Sequence, residues 1–146
     1  MPSTQPSARK VALCDVTPNR RRGGDIRVLL GPATVGATSG FLGVLTLAPG
    51  EFVSEHYHPY SEEFLYVVRG TVVVRVDGEE VPVAEGEGLF VPIGARHRVT
   101  NPTADTAVVA FHLCPLAPRP DLGHVDTEAQ PGTGPSLAVG HVMAAT

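Results

Sequence analysis

Residues 50–70 read GEFVSEHYHPYSEEFLYVVRG, with His56 and His58 one residue apart. Side chains on a strand alternate between its faces, so on an extended segment both imidazoles point the same way. The apolar run that follows, 63–69, opens on Glu63 and is itself strand-like. A second stretch, 86–101, reads GEGLFVPIGARHRVTN and supplies His97. A third imidazole and a carboxylate from other strands would complete a metal site rich in nitrogen and oxygen.

The same texture continues on both sides. Short apolar and β-branched runs fall at 26–30, 34–38, 41–48, 52–57, 63–69, 71–76, 79–83, 88–92, 97–101 and 106–114. Turn signals separate them, among them Pro49-Gly50, Gly70, Gly86, Gly94 and Asn101-Pro102. Asp77-Gly78 is a two-residue hairpin signal, because both residues tolerate positive φ. No run here sustains helical periodicity. The expected fold class is all-β, an antiparallel sandwich or barrel in a single domain. Residues 1–10 read as a loose tail, 11–114 as the barrel and 115–146 as a Pro/Gly-rich extension whose end, from 129, is mobile or draped on the surface.

Bulk properties exclude several classes. The 146 residues suffice for one core, and the net charge of -4 leaves no electrostatic footprint for nucleic acid. No apolar run is long enough to span a bilayer, so no membrane partner is expected. The polar N-terminus lacks the apolar segment of a secretion signal. Cys14 and Cys114 are no disulfide framework, which makes a reducing cytoplasm the expected location.

The histidine spacing is more specific than any of this. The first segment runs Gly50, five residues, His56, one, His58, four, Glu63, six, Gly70. The second runs Gly86, five residues, Pro92, one, Gly94, two, His97, three, Asn101. Together these resemble the paired signature motifs of the cupin superfamily at every signature position, over about 15–114. The resemblance implies a jelly-roll-like double-stranded β-helix barrel with a metal held by His56, His58, His97 and the Glu63 position.

His112 complicates that set. If 97–101 and 106–114 form a hairpin turning at Ala104-Asp105, His97 lies opposite His112 and shares its face. A one-residue slip would instead send His112 outward as an ordinary histidine. The favoured reading takes His112 as a fourth nitrogen ligand and leaves Glu63 as a further ligand or the catalytic acid/base. A site of imidazoles with open positions suits Zn²⁺ first, with Fe²⁺ or Ni²⁺ close behind.

Other residues are read more plainly. Arg20-Arg21-Arg22 is expected to be a solvated basic turn, or alternatively a dock for an acidic partner such as an acyl carrier protein. Phe41, Phe52, Phe64, Tyr66, Phe90 and Phe111 are expected mostly in the core. Leu65 and Val67 share the face of Glu63 and are candidates for a substrate-pocket wall. Tyr60, in the loop before Glu63, could reach a substrate, and Tyr57 should point away from the metal. His124 and His141 are expected to be exposed in the extension.

A narrower resemblance spans nearly the whole chain. The stretches 19–51, 55–70, 91–99 and 111–128 (the last reading FHLCPLAPRPDLGHVDTE) look like the cupin-type cyclases of bacterial aromatic polyketide pathways, such as the tetracenomycin and resistomycin pathways, the latter nearest. The resemblance implies metal-dependent intramolecular aldol condensation and dehydration of a poly-β-ketone in antibiotic biosynthesis. The implied partners are the polyketide intermediate, free or tethered to an acyl carrier protein, and other synthase or cyclase subunits. A quercetinase-like metal dioxygenase and a non-catalytic polyketide-binding subunit are the alternatives.

Overall fold

The computed structural model describes residues 7–132. Nearly all the apolar runs become strands: β1 (Asp25–Leu30), β2 (Phe41–Leu47), β3 (Phe52–Tyr57), β4 (Glu62–Arg69), β5 (Thr71–Val76), β6 (Glu79–Ala84), β7 (Gly88–Val91), β8 (His97–Thr100) and β9 (Ala107–Cys114). The exception is 34–38. Pro32 presets the backbone for a helical start, and a single turn, α1 (Pro32–Val35), ends at left-handed Gly36. A short strand absent from the sequence reading, β10 (Val125–Asp126), lies in the C-terminal extension.

The strands form two five-stranded antiparallel sheets, in the orders β1-β2-β9-β4-β7 and β10-β3-β8-β5-β6. This is the double-stranded β-helix that the cupin resemblance implies. Period-two alternation supplies the core between the sheets. Leu45 and Leu47 of β2, Leu65 and Val67 of β4, and Val109, Phe111 and Leu113 of β9 face Val53, Val72, Val74 and Val99 of the other sheet, all buried.

The expected hairpin of 97–101 with 106–114 does not form. β8 pairs with β3 and β5, whereas β9 pairs with β2 and β4 in the opposite sheet. Buried Asn101 holds this crossing: its Nδ2 donates to the Leu47 carbonyl at 3.0 Å and the Asp105 carbonyl at 2.7 Å. Its Oδ1 accepts the Thr103 N–H at 3.0 Å. Phe41 and Phe111 are core as expected. Phe64, Tyr66 and Phe90 are not: they stand on the outer face of the β4–β7–β9 sheet, 44%, 51% and 48% exposed.

Candidate metal centre

Register brings the first two histidines together. His56 of β3 sits directly across from His97 of β8. His58 follows β3 by one residue, and the N–H of Gly94 donates to its carbonyl at 3.0 Å. Gly94 has φ of 80°, so an L-residue there would strain the turn that delivers His97. Glu63 arrives from the facing sheet, on the inner face of β4 beside Leu65 and Val67. One donor atom from each of His56, His58, Glu63 and His97 lies within 4.8 Å of every other, and all four residues are buried.

Backbone carbonyls orient all three imidazoles. The Nδ1–H of His56 donates to Ser54 O at 2.7 Å, that of His58 to Gly123 O at 2.9 Å, and that of His97 to Ala95 O at 3.0 Å. A carbonyl only accepts, so each Nδ1 carries a proton, and in the neutral ring the Nε2 keeps its lone pair. Glu63 Oε2 nevertheless stands 2.8 Å from His97 Nε2 and 3.2 Å from His58 Nε2. Lone pairs face lone pairs across that gap, and only a proton or a cation between them relieves the repulsion.

The charges point the same way. Burial drives the His56 imidazole well below its ordinary value, helped by neighbouring His97, His124 and His58, so it stays neutral. Burial pushes Glu63 up, but His97 and His58 outweigh it and hold the carboxyl well below the usual range. Burial lowers His97, yet the Glu63 carboxylate more than offsets this and its value is raised. A carboxylate among three imidazoles, each with its Nδ1 already fixed by a carbonyl, is a donor set that fits a divalent transition metal.

The remaining site expectations divide. His112 lies on the outer face of β9, with Phe64 at a ring distance of 6.0 Å, and is not part of the cluster. The reason is the crossing between sheets: β9 turns Val109, Phe111 and Leu113 inward, so even-numbered His112 faces out. Leu65 lines the cavity beside the cluster; Val67 is buried but does not, and Tyr60 is 42% exposed and away from it. His141 lies outside the described residues. The cavity is walled by Ile26, Phe41, Leu45, Leu65, Val99, Phe111 and Leu113. Its space open to the centres of water molecules is about 40 Å³, room for a few waters.

Two residues expected at the surface are buried. His124 is buried, not exposed; its ring stacks on His56 at 4.3 Å and 9°, and its Nε2 lies 2.8 Å from Asp126 Oδ1. β10 puts it there by pairing Asp126 with His56, and no periodicity announces a two-residue strand. Arg22 is 3% exposed and lines the cavity, whereas Arg20 and Arg21 are exposed as expected. The signal for Arg22 was the Gly23-Gly24 pair behind it. A Cβ on Gly23 would fall 1.7 Å from the Phe52 carbonyl oxygen, so only glycine lets this loop press against β3.

Comparison with known proteins agrees with this architecture. Residues 43–114 match the cupin domain family. Protein SchB of Streptomyces halstedii is 57% identical over 136 residues, 93% of this chain and 99% of its own. The tetracenomycin polyketide synthase protein TcmJ of Streptomyces glaucescens is 56% identical over 128 residues, 88% of this chain and 86% of its own. A crystal structure from Thermotoga maritima, described as a predicted oxalate decarboxylase, is similar with a TM-score of 0.64 at 24% identity, over 73% of this chain and 98% of its own, a likeness of fold alone. With its sheet order, its buried histidine–glutamate cluster and these relatives along most of its length, the chain belongs to the cupin family.

Proposed function

We propose that this cupin is a metal-dependent aromatic polyketide cyclase that closes rings by intramolecular aldol condensation and dehydration. The observation that carries the reading is the His56, His58, Glu63 and His97 cluster opening into an apolar cavity. The name of TcmJ, a polyketide synthase protein, supplies the substrate class.

His56, His58 and His97 would hold the ion, Zn²⁺ being our first assignment. Once bound, such a metal supplies Lewis acidity to a ketone oxygen. The chain's own groups do the rest. The methylenes of a poly-β-ketone are acidic because each lies between two carbonyls. Glu63 engages the imidazoles through Oε2, and we assign Oε1 to proton transfer. The carboxylate takes a methylene proton, and the carbanion so formed attacks a second ketone carbon of the same chain. A carbon–carbon bond forms and the ketone oxygen gains a proton. Loss of that hydroxyl with a further α-proton, as water, leaves the double bond. The cavity is too narrow to take a whole polyketide, so a single bend of the chain enters while the remainder stays outside. Confinement of that bend selects which carbon meets which carbonyl.

The test is reconstitution with a minimal synthase that releases the uncyclised poly-β-ketone. The native protein is expected to convert it to a single ring pattern, and His97→Ala, checked for fold by circular dichroism, to lose both metal and conversion. Unchanged products with His97→Ala would replace the cyclase by a binding subunit. Oxygen consumption stoichiometric with product would make it a dioxygenase instead.

A further inference from the structure

The two sheets present opposite chemistry to the outside. On the sheet β10-β3-β8-β5-β6 the outward positions carry Glu55, Arg75, Glu80, Arg98 and Thr100. Both arginines are in ion pairs, Arg75 with Glu55 at 3.3 Å and Arg98 with Glu128 at 2.8 Å. On the other sheet the same alternation turns Phe64, Tyr66 and Val68 of β4, Phe90 of β7 and Ala110 of β9 outward. An antiparallel sheet with one face in water carries polar residues there, and this face does not. The N-terminal segment reaches its β1 end, where Arg27 Nη1 donates to the Leu13 carbonyl at 3.0 Å. The β4–β7 end stays open, and the Phe64 and Phe90 rings lie there 5.4 Å apart.

Along β4, charge stands only at the two ends of this face. Glu62 pairs across with Cys114, and Arg69 with Val108. Cys114 and Val108 belong to the outward row of β9, and directly paired residues share a face, so Glu62 and Arg69 point outward too. Neither forms an ion pair with another described residue.

This row is its own complement. When β4 is laid antiparallel on the β4 of a second molecule across a two-fold axis, Glu62 meets Arg69 at each end and Phe64 meets Tyr66 between them. A partner with charge at its centre would leave that charge unpaired against the rings, whereas a second copy brings none there. The area suffices as well. At about 200 Å² for a whole aromatic side chain, Phe64, Tyr66 and Phe90 together expose about 300 Å². Val68, the half-buried β9 row and the stems of Glu62 and Arg69 bring the face to about 600 Å². Two copies then bury about 1,200 Å², the lower end of the range for stable, specific interfaces. Edge-to-edge pairing through β7 is the other symmetric route, but a strand of four residues is a poor template for it.

We propose that the chain is a homodimer that stacks the outer faces of its two β4–β7–β9 sheets about a two-fold axis. β4 runs antiparallel to its copy, and Glu62 of each molecule pairs with Arg69 of the other. The dimer is independent of the cyclase reading, because Glu63 and the histidines lie on the inner side of the barrel.

The experiment is sedimentation equilibrium of the full-length protein as purified, with the dimer Kd read over a concentration series. The native chain is expected at twice its 15.3 kDa. Tyr66→Asp is expected to weaken the dimer about tenfold or more, with metal content and circular dichroism unchanged. Glu62→Arg and Arg69→Glu are each expected to weaken it several-fold, because like charges then meet at both ends, and the double variant to restore it. These charge variants carry the test where Tyr66→Asp does not fold. A native chain that stays monomeric to its solubility limit overturns the proposal and leaves the face to a different protein. A dimer indifferent to Tyr66→Asp overturns it in favour of another surface. Single charge variants that dimerise like the native chain, or a double variant no tighter than the singles, overturn the antiparallel stacking.

Discussion

Glu63 is the residue on which two readings of the site diverge, as a ligand of the metal or as the group that moves protons. Its carboxylate is 2.8 Å from His97 Nε2 and is the only acid in the cluster. Glu63→Gln separates the readings, because the amide is isosteric but neither basic nor anionic. If the carboxylate is the acid/base, the variant keeps its metal on three histidines and loses about 10²–10⁴ in cyclisation rate. If the carboxylate is a ligand, metal content falls along with the rate. Metal analysis of the purified variant beside its single-turnover rate distinguishes the two. His112 shows what residue spacing leaves out. Its neighbours Val109, Phe111 and Leu113 already make the more apolar face of that strand, and turning His112 inward would turn Phe111 and Leu113 out to water. Adjacency in sequence is not adjacency in the sheet here, because β8 and β9 lie in opposite sheets. His112→Ala is therefore expected to keep full metal content, read by the same analysis.

At the scale of elements, the segment after β9 acts as a strap across the site. Gly123 O orients His58, His124 stacks on His56, and β10 pairs with β3. Glu128 fastens its far end: Oε1 accepts the Glu55 N–H at 2.7 Å and Arg98 Nε–H at 2.8 Å. Burial alone would raise the Glu128 carboxyl, but these donors and Arg98 lower it below its usual 4.5. A depressed folded value contributes stability above the unfolded value, and that stability is lost as pH falls through the folded one. The strap is thus expected to loosen below about pH 4.5, and Glu128→Ala to loosen it at neutral pH at a cost of about 1 kcal/mol. Limited proteolysis with mass mapping checks both; cleavage that is independent of pH and of Glu128 would show the strap is held elsewhere. The basic turn gives a second test at this scale. Arg20 and Arg21 remain available for an acidic carrier domain, whereas Arg22 does not. Charge reversal of the first two alone should slow turnover of carrier-bound substrate and spare a free analogue. The strands themselves were legible because period-two alternation is a local property. β10 and α1 were not, since two residues carry no period and Pro32 overrides an otherwise β-branched run.

Across the whole molecule, the site is assembled from two separate stretches, 50–70 and 86–101, and the segment after β9. His56 and His97 come from one sheet, His58 from the residue just after β3, Glu63 from the facing sheet, and the carbonyl that orients His58 from the strap. The paired motifs picked out the four residues of the cluster, but which strands cross between sheets is settled by packing over the full chain. This places most of the cost of building the centre in folding itself. An unfolded chain has no such convergence, so a metal binds the native state far better than the denatured one. Binding then stabilises by RT ln(1 + [M]/Kd), about 2.7 kcal/mol when free metal is a hundredfold above Kd. For a chain of this length each kcal/mol moves Tm by about 2–4 °C, so loading is expected to raise Tm by about 5–10 °C. Scanning calorimetry of chelator-stripped protein, before and after zinc is returned, measures the shift. His97→Ala should show little of it, because one Nε2 is lost and the Glu63 carboxylate no longer has its nearer partner. A native protein whose Tm ignores the metal would mean that the cluster is held by a shared proton between His97 and Glu63.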